Sequence, residues 1–499
     1  MTHPVVVDAL VLALMGLSGV GAGLLLGVRQ WIPLTFLAVA LSTVVRTWSA
    51  FAMWSLGMHH LITDAWIVAS IALVVAGGAL AWRHWRIALL ATSALGAASV
   101  VALTTKYVLA IGERHHTDSA NAIAVAVVGL GGEVDNLEPI AGSAKRGIAY
   151  PLMLGLGPEG RVLAGFTPLL FMMILLAVGW IAWQILRDTV RPQAFWIAVG
   201  GLGLFSLSVP IFRAAMFYLN AHILMGFAMV LLVGGLLLAR QQRSFSGLPL
   251  LFTLVGGVIG VTARVEGIVL VLALLVALMG QSWWSSSVER MRLFATLAIV
   301  GITFTWWLSS TNSPLIERFG LTSWILVVLS LVGAALAASP WIDRLRGALL
   351  PLFAAAVVGV LLGGIAMSAN PLAQVLAQWP NLGLGRGGWA TAAHVFIGSV
   401  VLLGFFRRSL AYRWLLGISA LMIVTILFSK GFDGGSFGVS FGREGFYDSV
   451  NRMWLHVMPT IMVMTIVGYA ELLHSAFFAK HRADRRGQTV DRQPLTVEQ

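Results

Sequence analysis

The sequence has few charged residues and no cysteine. Asp, Glu, Lys and Arg make up 10% of its 499 residues, whereas 59% are hydrophobic. An ordinary soluble domain has about 25% charged residues. A water-soluble fold cannot cover that much apolar surface, so the lipid bilayer is the first expected partner. The lack of cysteine excludes disulfides and thiolate chemistry. The net charge of +12 does not indicate nucleic acid, because basic residues of membrane proteins collect in particular loops.

The sequence contains long apolar runs in place of charged residues and cysteine. They extend over about 17 to 26 residues, the length of a transmembrane helix, and lack the alternation of a transmembrane β-barrel. The sequence therefore predicts an all-α, polytopic integral membrane protein with a bundle of about 13 to 15 transmembrane helices. The predicted spans are 5–27, 31–56, 65–82, 87–111, 164–186, 194–210, 215–239, 248–262, 265–280, 293–309, 321–338, 347–368, 391–406, 414–429 and 456–478.

The stretch 248–280 has two interpretations. It is either one long helix or a hairpin of two short helices, broken at Arg-Val-Glu-Gly, residues 264–267. We favour the hairpin, because two ionisable residues in the middle of a membrane would be costly. Arg264 and Glu266 are then expected in a turn at one face of the membrane.

The charges of the loops predict the orientation of the chain. One set of alternate loops, together with the C-terminal tail, holds 19 of the 32 Lys and Arg residues, and the opposite set holds 12. Every short loop of the richer set is basic, which is typical of the cytoplasmic side. We therefore expect the N-terminus outside and the C-terminus in the cytoplasm, in the inner (plasma) membrane of a bacterium.

This orientation divides the chain into three parts. Residues 1–86 are predicted to form N-terminal transmembrane helices, residues 87–479 the main transmembrane domain, and residues 480–499 a basic cytoplasmic tail. The long connections fall on the outer face, chiefly a first outer loop at 112–163 and a late outer loop at 430–455. Long loops often carry function. Because the outer face has no ATP, chemistry there would require a pre-activated substrate.

The first outer loop opens with a group of ionisable residues. Asp118 follows the membrane span and precedes a small, apolar stretch that is expected to lie at the interface. Asp118 is either a general base held beside the bilayer or the N-cap of an interfacial helix. A divalent-metal site with His115 and His116 is a third alternative, which we do not favour because adjacent residues rarely converge on one ion. No cofactor is therefore predicted.

Short motifs in this order resemble a known family. Asp-Ser-Ala at 118–120, Lys-Arg-Gly at 145–147 and Tyr-Pro-Leu at 150–152 are similar to the first outer loop of polyprenyl-phosphate-sugar-dependent glycosyltransferases. These belong to the GT-C superfamily, in particular its protein-mannosyltransferase-like and aminoarabinose-transferase-like members. Thr-Ala-Arg-Val-Glu-Gly at 262–267 and the motif at 448–459, which enters the last span, also resemble the family.

The resemblance covers about residues 87–475 and has identifiable departures. Val265 stands where the family has Pro, and Met453 and His456 depart from its late motif. Relatives usually place a Glu between the first loop and these motifs, and this sequence has none there. The role of that Glu in the family therefore cannot be assigned to a residue of this sequence.

The resemblance implies a GT-C-like bundle and a particular reaction. A sugar on a polyprenyl phosphate would be moved, with inversion, to an acceptor hydroxyl of an envelope glycan, lipid or protein at the outer face. Asp118 would deprotonate the acceptor. Cations beside the leaving phosphate would stabilise the transition state, with Lys145, Arg146, Arg264 and Arg452 as candidates. Each of these cations is otherwise an interfacial anchor or an ion-pair partner.

The resemblance implies a second group of candidates, which are polar or aromatic residues that would contact the sugar or the acceptor. Glu266 either orients Arg264 or contacts sugar hydroxyls, and its plain alternative is an ion pair. His116, Tyr150 and Asp448 complete this group.

Two other function classes remain open. A transporter or lipid flippase would carry ionisable residues at broken helices, and this sequence has few deep in its spans, Asp8 and Arg46 being exceptions. A ligase that transfers a whole glycan from a polyprenyl diphosphate would also place Arg and His in outer loops.

Overall fold

The computed structural model of the chain is built from α-helices. The structure describes residues 4–108, 123–127, 130, 149–156, 161–163, 165–217, 221–264, 267–268, 270–272, 274–275, 286–311, 321–345, 348, 380, 383–405 and 449–478. Within these ranges, the β-pairing consists of an isolated bridge between Gly155 and Val162. Helices are the expected solution in a bilayer, because an α-helix satisfies its backbone hydrogen bonds internally.

The helices follow the predicted apolar runs closely. They are α1 (Pro4–Leu25), α2 (Trp31–Ser55), α3 (Ile62–Arg83), α4 (Trp85–Tyr107), α5 (Ala149–Leu154), α6 (Phe166–Leu186), α7 (Pro192–Ser208), α8 (Pro210–Phe217), α9 (His222–Gln242), α10 (Leu248–Ala263), α11 (Ser287–Thr311), α12 (Leu321–Ala338), α13 (Ala392–Phe405) and α14 (Ser449–Leu473). A short 3-10 turn, His59–Leu61, precedes α3, and a π-helical turn, His474–Phe478, follows α14.

Several of these helices are suited to cross a membrane. Among the described residues, 7 helices are long and apolar enough, or up to 8 if the bent pair of α7 and α8 is one span. Large apolar side chains such as Trp82 and Leu204 are 85% and 74% exposed, as lipid-facing residues are. The prediction of an all-α, polytopic membrane protein is confirmed. The predicted span at 414–429, and the span at 347–368 apart from residue 348, lie outside the described residues.

Two predicted boundaries are wrong by about two helical turns, and the first is the start of α9. The span expected at 215–239 begins at His222, and the residues before it belong to α8, which is bent by 81° from α7. The cause is Pro210, which lacks a backbone N–H and disfavours helical geometry in the residue before it. Val209 is accordingly extended, with φ −78° and ψ 120°.

The last helix also begins earlier than expected. The span predicted from residue 456 starts at Ser449, so the end of the predicted loop 430–455 is helical. Arg452 is therefore held on a helix. A side chain on a helix has a fixed position relative to its neighbours, which a loop would not provide.

The centre of the bundle is α9, whose apolar residues are buried along its length. It packs against α6, α10 and α14. Small residues permit close approach, as is usual between membrane helices. A Cβ on Gly256 of α10 would lie 2.8 Å from the Ala228 carbonyl oxygen of α9. The two helices therefore form a tight antiparallel pair, and the start of α9 lies beside the end of α10.

Candidate functional site

The end of α10 forms a sharp turn at a basic residue. The helix stops at Ala263, and Arg264 is extended, with φ −157° and ψ 153°. The Gly267 amide donates to the Arg264 carbonyl at 2.9 Å, and Gly267 lies so close to the Gly260 carbonyl that no Cβ fits between them. The predicted break at Arg264 is therefore present. The guanidinium lies at a helix end, as the hairpin interpretation required.

Two histidines meet beside this turn. His222 is the first residue of α9, and His456 lies in the first half of α14. His222 Nδ1 is 2.8 Å from His456 Nε2, and the ring planes are 28° apart with centroids separated by 4.9 Å. The rings therefore meet edge to edge in a hydrogen bond. Both side chains are buried, His222 at 3% and His456 at 0% exposure.

Arg264 sets the direction of this hydrogen bond. Its Nη1 lies 3.3 Å from His222 Nε2, and a guanidinium only donates, so His222 Nε2 is the acceptor. The proton of His222 is then on Nδ1, from which it is donated to His456 Nε2. The donor and acceptor roles at the two rings are therefore assigned from the contact with Arg264.

Arg452 lies at the same end of the bundle. It precedes His456 by four residues on α14, so the two side chains leave the same face of that helix. Arg452 and Arg264 are each 9% exposed. We call Arg264, Arg452, His222 and His456 the basic cluster. Under the predicted orientation, the basic cluster lies towards the outer face.

The basic cluster is suited to an anion. Guanidinium groups bind phosphate through charge-assisted, bidentate hydrogen bonds. Burial strengthens such contacts, because the surroundings screen charge less than water does. Of the helices that carry the cluster, α9 and α14 are long and apolar enough to cross a membrane, and α10 is a shorter apolar helix. An anion attached to a lipid tail would therefore find both its charge and its chain accommodated.

Tyr150 is the third predicted site residue that the structure describes. It lies on α5, is fully buried, and shares a hydrogen bond of 2.8 Å with the Thr167 hydroxyl of α6. Its ring also packs near Phe166, with centroids 6.0 Å apart. Helix α5 contacts α2 and α10, so Tyr150 belongs to the segment that returns from the first outer loop.

The remaining predicted site residues lie outside the described residues. These are Asp118, His116, Lys145, Arg146, Glu266 and Asp448, together with His115 of the alternative metal site.

Two ionisable residues of the N-terminal helices reach the ends of the first outer loop. Arg46 of α2 donates from Nη2 to the Gly155 carbonyl at 2.6 Å. Asp8 of α1, 1% exposed, accepts a hydrogen bond from Tyr107 at 2.6 Å and pairs with Arg161 at 3.2 Å. Since the predicted loop spans 112–163, these contacts hold the residues around its two ends.

His222 is the residue that sequence analysis missed. The sequence carries only a positional signal for it. His222 is the first residue of one span, and Arg264 follows the last residue of the next. Because these two spans are antiparallel, the two residues lie at the same level of the membrane. His456 was noted only as a departure from the resembled family. Its contact with His222 joins two helices that are distant in sequence, and no local pattern indicates such a pairing.

The described part of the chain contains no group of three or more His, Asp or Glu side chains arranged to hold a metal ion. Comparison of this chain with protein-family models, with curated proteins and with solved structures finds no match.

Proposed function

We propose that this chain is a membrane glycosyltransferase of the GT-C kind, which moves a sugar from a polyprenyl-phosphate donor to an acceptor hydroxyl at the outer face, with inversion. The supporting observation is the basic cluster. Arg264 and Arg452 belong to two separate motifs of the sequence, and both are buried at the same end of the bundle. Arg264 contacts His222, and Arg452 precedes His456 by one helical turn.

The donor fits the chemistry of this place. Its phosphate would be bound by Arg264 and Arg452, and its polyprenyl chain would lie along the lipid-facing helices. As the bond between sugar and phosphate breaks, negative charge grows on the phosphate oxygens, and fixed cations stabilise that change most. The hydrogen bond to His222 would hold the Arg264 guanidinium in one orientation.

The remaining roles rest on the resemblance. Asp118 would take the proton of the acceptor hydroxyl, and Lys145 and Arg146 would add positive charge near the phosphate. Glu266, His116, Tyr150 and Asp448 would contact sugar or acceptor. The proposed setting is the bacterial inner membrane with the N-terminus outside, the C-terminus in the cytoplasm, and a cell-envelope molecule as the acceptor.

A ligase that uses a polyprenyl diphosphate is the second candidate. The observation that favours it is that the basic cluster contains two histidines as well as two arginines, since a diphosphate has more oxygen acceptors than a monophosphate. A flippase has weaker support. Asp8 and Arg46 are buried in spans, yet both contact residues near the ends of the first outer loop, as structural residues do.

Equilibrium binding to purified protein tests the donor site. The probe is geranylgeranyl phosphate. Geranylgeraniol, which has the same chain without the phosphate, is the uncharged control. We expect Arg264→Ala to weaken phosphate binding by about thirtyfold or more, equivalent to about 2 kcal/mol, because a buried charge contact is lost. Arg264→Lys should retain part of the affinity as a point charge. Geranylgeraniol binding should not change in either variant.

Arg187→Ala is the matched control, because Arg187 is exposed and pairs with exposed Asp188 in the turn after α6. If Arg264→Ala and Arg187→Ala bind the phosphate equally well, the basic cluster is not the donor site. Geranylgeranyl diphosphate separates the two enzyme classes. A clear preference for the diphosphate would favour the ligase, and sugar transfer from a monophosphate donor would establish the glycosyltransferase.

A further inference from the structure

Four buried polar atoms on α2 and α3 have no hydrogen-bond partner in the described part of the chain. They are Ser42 Oγ, Arg46 Nε, Trp66 Nε1 and Ser70 Oγ. All four side chains are at most 2% exposed. A buried polar group without a partner is costly, so four on two neighbouring helices require a physical explanation.

The four residues occupy one face on each of the two helices. Ser42 and Arg46 are four residues apart on α2, and Trp66 and Ser70 are four residues apart on α3, so each pair shares one helix face. The Arg46 guanidinium carbon lies 4.5 Å from the centroid of the Trp66 ring, which joins the two faces. Helices α2 and α3 pack together as neighbours connected by a short turn. The antiparallel arrangement brings Ser42 to the level of Ser70.

The Ser42 hydroxyl differs from others on the same helix. Thr35, Thr43 and Thr47 each donate to the backbone carbonyl four residues earlier. Such a bond is available to any serine or threonine in a helix. Ser42 does not form it, so its hydroxyl is directed elsewhere than to its own backbone.

The chemistry of the four atoms defines what would satisfy them. Arg46 Nε and Trp66 Nε1 can only donate, and the two serine hydroxyls can donate as well. A single species that accepts hydrogen bonds would therefore satisfy the whole group. Neither a metal cation nor a donor such as an ammonium group would do so.

Charge distinguishes an anion from a water molecule. Arg46 carries a full positive charge inside a membrane span, and among the described residues no carboxylate lies within ion-pair distance of it. The Arg46 guanidinium contacts one backbone carbonyl and the face of Trp66, neither of which neutralises its charge. A buried unpaired charge is far more costly than a buried neutral group. An anion satisfies both requirements, whereas water satisfies only the hydrogen bonds.

We propose that Ser42, Arg46, Trp66 and Ser70 form a binding site for a small monovalent anion, with chloride as the physiological candidate. All four side chains are buried, so the site has no open face for a lipid headgroup or a phosphate ester, and a small ion is the better match. The site is separate from the basic cluster and does not depend on the proposed glycosyl transfer. Because Arg46 also holds the Gly155 carbonyl, the anion would stabilise the segment that returns from the first outer loop.

Thermal unfolding of the purified full chain tests this site. Sodium chloride is titrated against sodium gluconate at constant ionic strength, and sodium bromide is the second halide. A ligand that binds only the folded state raises the unfolding temperature in a saturable way. We expect chloride and bromide to do so and gluconate, which is too large, not to. A rise that is equal in chloride and gluconate, or that does not saturate, would overturn the proposal.

Variants identify the site. Ser42→Ala and Ser70→Ala keep the buried charge and should each weaken the apparent chloride affinity by about tenfold, the change expected when a hydrogen bond to a charged group is lost. Thr43→Val is the control, because its buried hydroxyl is bonded within its own helix, and its chloride response should equal that of the wild type. Arg46→Gln should abolish the response. If Ser42→Ala and Ser70→Ala respond to chloride as Thr43→Val does, the anion does not bind here.

Discussion

Gly226 of α9 lies directly against Leu455 of α14, where a Cβ on the glycine would be 2.7 Å from the Leu455 carbonyl oxygen. Gly226 follows His222 by four residues, and Leu455 immediately precedes His456. The missing side chain therefore lets the two helices approach at the level of the histidine pair. A larger residue would have to displace backbone, which is not a cheap adjustment.

The first prediction concerns this close approach. Gly226→Ala should destabilise the protein by about 1–3 kcal/mol, because its methyl group overpacks a helix contact. It should also weaken binding of geranylgeranyl phosphate, since separating α9 from α14 lengthens the bond from His222 to His456. Thermal unfolding and equilibrium binding measure the two effects.

Gly179→Ala on α6 is the matched control, because nothing lies within 4 Å of a Cβ added there. It should keep or slightly raise stability, as alanine favours helix by about 1 kcal/mol over glycine. Equal stability of the two variants would show that the contact between Gly226 and Leu455 is looser than the structure has it.

The second prediction concerns the coupling between His222 and His456. In a double-mutant cycle, His222→Phe and His456→Phe should be non-additive in unfolding free energy by about 1 kcal/mol, the net value of one hydrogen bond. His474 lies at the opposite end of α14, so a cycle of His222→Phe with His474→Phe should be additive. Additivity in both cycles would show that no hydrogen bond joins His222 to His456.

The third prediction concerns the buried carboxylate of Asp8. Arg161→Ala should cost about 1–3 kcal/mol of stability, because Asp8 would then keep only its hydrogen bond with Tyr107. Arg187→Ala breaks a similar pair, but Asp188 is exposed, so this variant should cost less than about 0.5 kcal/mol. Comparable losses in both variants would contradict the burial of Asp8.

Much of the fold was predictable because the sequence features that specify its helices are local. Apolar runs of membrane length specify helices, and the ends of α2, α6 and α12 lie within two residues of the predicted spans. Arg264 was predicted at a break for an energetic reason that operates locally, the cost of charge inside a membrane. The bend before α8 was missed although Pro210 was visible, because the apolar run continues across it.

The basic cluster was predictable only in part. Arg264 and Arg452 are predictable because each lies in a motif that resembles a known family. Their association depends on the contacts of α9 with α10 and α14, which require glycines at particular positions. Sequence analysis cannot assign a glycine to one helix partner among many. His222 was missed for the same reason, since its importance comes from a distant residue.

The fourth prediction concerns orientation. A reporter fused after Arg486 should be active only in its cytoplasmic form, because the loops on the same side as the C-terminal tail hold the larger share of basic residues. A reporter inserted after Arg243, between α9 and α10, should behave in the same way. Activity of a periplasmic reporter at either position would reverse the orientation, and the basic cluster would then face the cytoplasm.

The last prediction concerns Asp118, which the resemblance assigns as the general base. Asp118→Asn should lower sugar transfer by about a hundredfold or more, because an amide cannot take the proton of the acceptor hydroxyl. Binding of geranylgeranyl phosphate should persist, since Arg264 and Arg452 are unchanged.

An N-cap role for Asp118 predicts a different result. Asparagine caps a helix about as well as aspartate, so Asp118→Asn would then keep near-normal transfer, whereas Asp118→Ala would lose about 1 kcal/mol of stability. Glu133, Asp135 and Asp448 would become the next candidates for the base. Loss of transfer with retained donor binding would also weigh against a flippase, because moving a lipid across the membrane requires no proton transfer to Asp118.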